Sequence, residues 1–208
     1  MQSRHCLFAL LPVAMLAGCA GMSEQACLVT DWRSVGFEDG IAGRSEGSIG
    51  GYRQACSKYG VAPDLDQYRA GHAEGVQSFC RPGQGFEAGR SGSRYQGVCP
   101  ADLEPAFLEA FAEGRQLYEL EAALRSIDNQ IAARNRRLEV LTREIGAAGA
   151  AIIAEGTSSE ERAQLLLDAA AMAKEQGQIA KELEALQGDR VLAENDLLAY
   201  RQTTAYSF

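Results

Sequence analysis

The residues with the most chemistry in this chain are four cysteines: Cys27, Cys56, Cys80 and Cys99. Four thiols can bind zinc, act as nucleophiles or close two disulfides. Structural zinc sites usually bring cysteines in close pairs. Here the successive spacings are 29, 24 and 19 residues, which favours two disulfides over a metal. Four cysteines allow three connectivities. Sequential pairing, Cys27–Cys56 and Cys80–Cys99, is the favoured one, because two antiparallel helices bring the start of the first near the end of the second. Nucleophilic catalysis needs a base and an orienting group beside the nucleophile. Beyond His5, near the start, the one imidazole is His72, between Gly71 and Ala73 in a predicted helix; it reads as an exposed or capping residue. Glu38-Asp39 reads as a solvated surface pair, and Asp64-x-Asp66 lacks the rest of a calcium loop. Gly83-x-Gly85 lacks the strand-then-helix setting of a nucleotide loop. The expectation is a protein that is not an enzyme, with no catalytic, cofactor-binding or metal-ligating residue.

The first eighteen residues set the expected compartment. Arg4 precedes an apolar run from Cys6 to Met15, and Leu16-Ala17-Gly18-Cys19 follows. A positive start and a short apolar core read as a secretory signal. The run would cover only about 15 Å as a helix, too short for a bilayer core of roughly 30 Å. Leu16-Ala17-Gly18-Cys19 resembles the bacterial lipobox. That resemblance implies cleavage of residues 1–18, a diacylglyceryl thioether on Cys19 and a further acyl chain on its amino group. Two or more chains hold a protein firmly, at about 0.8 kcal/mol per buried CH₂. Ala20 in place of Asp implies sorting to the periplasmic face of the cell outer membrane. An oxidising compartment agrees with the disulfide reading.

The 208 residues carry 20 basic and 28 acidic side chains, for a net charge of -8. That balance argues against nucleic acid as a partner. Composition shifts near residue 115. Of 22 glycines, 15 lie between Gly36 and Gly114, and of 15 aromatics, 11 lie between Trp32 and Tyr118. The pattern aromatic-x-x-Gly recurs at Phe37–Gly40, Tyr68–Gly71, Phe86–Gly89 and Phe111–Gly114. Gly43, Gly75 and Gly92 follow at helical spacing, and Arg44, Arg90 and Arg115 each follow a glycine. Residues three or four apart share a helix face. Glycine in a helix costs about 1 kcal/mol relative to alanine, so these helices must be held by close packing and cross-links. A groove lined by rings and arginine is the competing reading.

The expected elements in residues 23–115, the head, are helices over about 24–43, 45–59 and 65–79, the last capped by Pro63-Asp64. Arg81 to Gly85 is a predicted turn, and Phe86 to Gln96 is either a short helix or a loop. Cys99-Pro100-Ala101-Asp102 leads into a long helix. From Leu117 the apolar positions Leu120, Leu124, Ile127, Ile131, Leu138, Leu141 and Ile145 alternate steps of three and four, broken only at Arg134, a coiled-coil pattern. Residues 146–158 are predicted to interrupt it, and Ser158-Ser159-Glu160-Glu161 reads as a capping box. A second helix then runs to Arg201, before a tail at 202–208. The fold expected is mainly α: a small disulfide-linked head of short glycine- and ring-rich helices, then a long antiparallel helical hairpin over 116–201.

The order of positions in the head resembles a family of Gram-negative envelope lipoproteins carrying the domain of unknown function numbered 2799. The matching positions include Asp31-Trp32, Gly36, Asp39-Gly40, Gly43, Cys56, Pro63-Asp64, Tyr68-x-x-Gly71, Phe79-Cys80, Gly85-Phe86, Cys99-Pro100 and Gly114-Arg115. The resemblance covers about residues 22–120 and implies a lipoprotein domain without implying an activity. The expected function is a structural or protein-interaction role in the envelope, anchored through Cys19. Its partner would be an envelope protein or the cell wall, met through the hairpin. The alternative is a glycan or small-ligand binding module using the rings and arginines of the head. A hydrolase would need a cleft with two acids, or His72 beside a carboxylate, which the spacing does not supply. Oligomeric state is left open by the sequence.

Overall fold

A computed structural model describes residues 22–206. The expected leader and the lipidation site Cys19 lie outside the described residues. The fold is mainly helical, with no strand among the described residues. Among the described residues seven α-helices follow in order: α1 (Glu24–Val29), α2 (Trp32–Ile41), α3 (Ile49–Ser57), α4 (Leu65–Phe79), α5 (Pro82–Arg90), α6 (Glu104–Ile153) and α7 (Ser159–Thr203).

Several boundaries differ from the sequence expectation, each for a local reason. The single helix expected over 24–43 is two. Thr30 ends α1, and the Asp31 side chain caps α2 by accepting from the Arg33 N–H at 3.1 Å. That bond satisfies one of the N–H groups a helix start leaves open. The helix expected over 45–59 begins as a short 3₁₀ turn, Glu46–Ser48, before α3. The predicted turn at Arg81–Gly85 is instead the first turn of α5, with Pro82 at the position where a helix tolerates proline. After Arg90 the chain is irregular to Cys99. The interruption expected from Gly146 falls later, since α6 runs to Ile153. Alanines around Gly146 and Gly149 favour helix, and Ala148 is buried in the hairpin seam. The turn is then short, with Gly156 at φ 91°. Ser158 and Glu161 form the capping box that opens α7.

The head consists of two helix pairs built on one plan. In the first frame α2 crosses α4, with Gly36 and Gly40 against Gly71 and Gly75. A Cβ on Gly36 would overlap the Tyr68 carbonyl oxygen, and one on Gly71 would overlap that of Arg33. In the second frame α5 crosses the first turns of α6. There Gly89 meets the Phe111 carbonyl and Gly114 that of Phe86. Gly43 and Gly92 follow the first helix of each pair at φ 67° and 73°. Each lies under a ring of the second helix, Phe79 and Tyr118 respectively. Cysteine placement repeats as well. Cys27–Cys56 and Cys80–Cys99 each join the segment before the first helix to the connection before the second. Sequential pairing is therefore the connectivity in the structure, and it uses the thiols that zinc would have needed.

Beyond residue 115, α6 continues without a break and α7 returns antiparallel to it. At 1.5 Å per residue they are roughly 75 and 68 Å long. The 3–4 seam read from the sequence is the face they share. Leu141, Ile179 and Leu183 are buried together, with Ile131, Leu138 and Met172 against them. Ion pairs flank the seam, such as Arg137–Glu175 at 2.7 Å and Arg190–Asp128 at 2.7 Å. Near the head, Leu117 and Leu197 pack on Phe86, and the Tyr206 ring stacks on Phe86 at 4.3 Å.

Candidate functional site

The polar groups worth testing for function lie in the first frame. Asp39, on α2, is 1% exposed. It was expected to be a solvated surface acid; the structure buries it because α2 turns that face toward α3 and α4. Its carboxylate accepts three hydrogen bonds: from Tyr68 at 2.7 Å, Arg44 at 2.7 Å and Tyr52 at 3.2 Å. Buried carboxylates need such partners. Burial, and then the bond to Asp39, push the Tyr68 phenol well above its ordinary value. Tyr52 is raised for the same reasons, burial first. The hydrogen bond to Asp39 raises the Arg44 guanidinium further.

His72 is also buried, contrary to the exposed or capping role expected of it. Its Nε2 lies 2.7 Å from the Arg44 carbonyl, to which it donates, and its ring stacks on Tyr68 with centroids 6.0 Å apart. Asp39, Arg44, Tyr52, Tyr68 and His72 thus form one cluster, which locks α2, α3, α4 and the Arg44 turn together. Tyr52 carried no signal in the sequence, because it reaches Asp39 only through the fold.

The ring-and-arginine groove read from the sequence takes a different form. Tyr68, Phe86 and Phe107 are buried. Arg44 is held by Asp39, while Arg115 donates to the Gly92 carbonyl and lies over Tyr118. Arg90 pairs with Glu87. What remains open is a cleft of about 330 Å³ between the two frames. Its floor is aromatic: Phe79 and Tyr95 each sit 5.0 Å from Phe107. Arg94 stands exposed at its mouth. Tyr95 is fixed there by donating to Glu104 at 2.8 Å and accepting from the Cys99 N–H at 2.9 Å.

The other carboxylates singled out have local duties. Asp64 caps α4 by accepting from the Gln67 N–H at 3.0 Å. Among the described residues no cluster of His, Cys, Asp or Glu is arranged to hold a metal, and no helix is long and apolar enough to cross a membrane.

The fold and its clusters define a disulfide-closed helical head continuous with a long helical hairpin. Residues 31–116 match the family described as "Protein of unknown function (DUF2799)". The match takes in both helix pairs of the head and ends where the free length of the hairpin begins. No curated protein and no solved structure matches the chain.

Proposed function

We propose that this protein is a lipoprotein of the cell outer membrane, anchored through Cys19 on the periplasmic face. Its role there is non-enzymatic: the head is a rigid base, and the hairpin is the element that meets an envelope protein or the cell wall. The observation that carries this reading is the hairpin's use of its apolar side chains. α6 and α7 fill their own seam, yet Ile153, beside the turn at the far end from the head, is 81% exposed. At the same end a groove of about 420 Å³ is lined by Ala151, Thr157, Glu161, Gln164 and Leu165, and an exposed apolar side chain together with a groove at a protruding end suits a docking contact. Two disulfides fit an oxidising compartment, and the three-bond seat of Asp39 fits a fastener more than a reactive group.

The test has two arms. Cys19→Ser should move the protein from the membrane fraction to the soluble periplasm; an unchanged membrane fraction defeats the anchor. A photoreactive residue at position 153 should give one discrete protein or wall adduct in cells. Adducts confined to the chain itself would remove the hairpin's interaction role.

The cleft between the frames favours a second reading, a binding site for a small acidic sugar. Its rings suit stacking on a sugar face, and Arg94 suits a carboxylate. Titration with N-acetylmuramic acid, followed by amide shifts at Arg94 and Gln96, checks it. Shifts absent at millimolar sugar would close that reading.

A further inference from the structure

At the two crossings of the head, helical glycines let another backbone come close. Other helical glycines meet nothing: Gly50, Gly51 and Gly83 of the head, Gly146 and Gly149 of α6, and two in α7. Gly177 and Gly188 sit in the middle of a long helix with nothing within 4 Å of where a Cβ would be. Each costs about 1 kcal/mol relative to alanine, with no return inside the chain. Both lie on the face of α7 turned away from α6, and that face has more without a partner. Leu167 and Leu198 are 66% and 54% exposed at its two ends. Lys174, Lys181 and Glu184 along it are exposed and make no ion pair among the described residues.

We propose that two copies of the chain pair through this face, with α7 antiparallel to α7 of the second copy and a twofold axis between Glu182 and Leu183. The register is dictated by the face itself. About that midpoint Leu167 falls opposite Leu198, Gly177 opposite Gly188, Lys181 opposite Glu184, and the stem of Lys174 opposite Val191. All of these positions follow the three-four spacing of a second seam. A twofold contact uses each pair twice, which is what an isologous interface requires. The glycines then bring the two backbones together at matching places on either side of the axis, as Gly36 and Gly71 do in the head. The leucines close the ends. Beside Leu198, on the flank between α6 and α7, lies a groove of about 380 Å³ lined by Leu124, Val191, Leu197, Glu194, Asn195 and Arg201, and Leu167 of the second copy would lie at its edge. Charge complementarity at the centre selects this arrangement over a parallel one, in which Lys181 would face Lys181. The proposal is independent of the envelope reading and of any partner at Ile153.

Full-length chains carrying two different tags test it in cells. One bears Leu167→Cys and the other Leu198→Cys; both positions are exposed, so the fold is spared. Mild oxidation should give a mixed-tag disulfide dimer, while replacing Leu167→Cys by Glu139→Cys on α6 should give none. Lys181→Glu in both chains should lower the dimer yield about tenfold, since two attractive pairs become repulsive. Adding Glu184→Lys should restore it. Absence of the mixed-tag dimer, equal product from Glu139→Cys, or a yield indifferent to Lys181→Glu would each overturn the proposal.

Discussion

Asp39, Tyr68 and His72 in the first frame stand where Ala88, Phe107 and Phe111 stand in the second. The backbones agree: a glycine-faced helix, a left-handed glycine, a disulfide, then a second helix crossing the first at carbonyl distance. The fillings do not. The first frame closes over a carboxylate with three donors. The second closes over rings, with Phe107 fully buried against Phe79 and Tyr95. One close helix crossing therefore accepts either a satisfied polar cluster or an apolar core. The glycines decide the crossing, and the side chains beside them decide what holds it.

The sharpest way to break this comparison is at a position where the frames differ by one methyl group. Gly71 occupies the place that Ala110 takes in the second frame. Its Cβ would overlap the Arg33 carbonyl, whereas Ala110 is accommodated at 2% exposure. Gly71→Ala should cost about 4 kcal/mol or more, by forcing two backbones apart. Ala110→Gly should cost only about 1 kcal/mol. Urea unfolding of the two variants checks both, and equal losses would mean that the first crossing is no closer at this place than the second.

A smaller effect probes the filling. Asp39→Ala should cost about 3 kcal/mol, because it strands buried donors as well as removing a carboxylate. Adding Tyr68→Phe and His72→Phe transfers the second frame's residues to the first. That triple variant should recover part of the loss, since the buried Tyr68 donor is then gone, while Arg44 and Tyr52 are partly exposed and can turn to water. A triple variant no more stable than Asp39→Ala would show that the polar filling has no apolar substitute here.

The mildest contrast is in pH. Tyr68's phenol is raised in the folded state, from burial and from Asp39. A raised group stabilises the fold fully below its unfolded value, about 10 for tyrosine, and that contribution is lost as pH climbs through the folded value. The first frame should thus loosen in strong alkali before the second, which has Phe107 at the matching place. Amide exchange of α4 against α5 above pH 10 reads this, and Tyr68→Phe should remove the difference.

Much of this architecture was legible in residue spacing. The hairpin seam was visible because alternating steps of three and four place side chains on one face wherever the helix goes. Ser158 and Glu161 announced the start of α7, and Asp64 that of α4, since caps act within three residues. The chain breaks after Thr30 and before Pro82 were harder, because a helix end depends on one local bond against a continuing run. The duplication was half visible. The recurring ring-x-x-Gly aligned Tyr68 with Phe111, but packing aligns Tyr68 with Phe107, one turn earlier. Alanine at 110 hid the match.

What the sequence by itself determined is the local and the periodic: mainly helical structure, the hairpin seam, the caps and a favoured cysteine pairing. These rest on interactions between residues a few positions apart, or on repeats that survive any tertiary arrangement. Only the tertiary structure decided which glycine helices cross, that Asp39 and His72 are buried, that Tyr52 joins them, and that a cleft opens between the frames. Most of those depend on groups far apart in the chain, such as Tyr52 and Tyr68, which are 13 and 29 residues from Asp39. Their approach is set by three-dimensional packing and leaves no periodic trace in the chain.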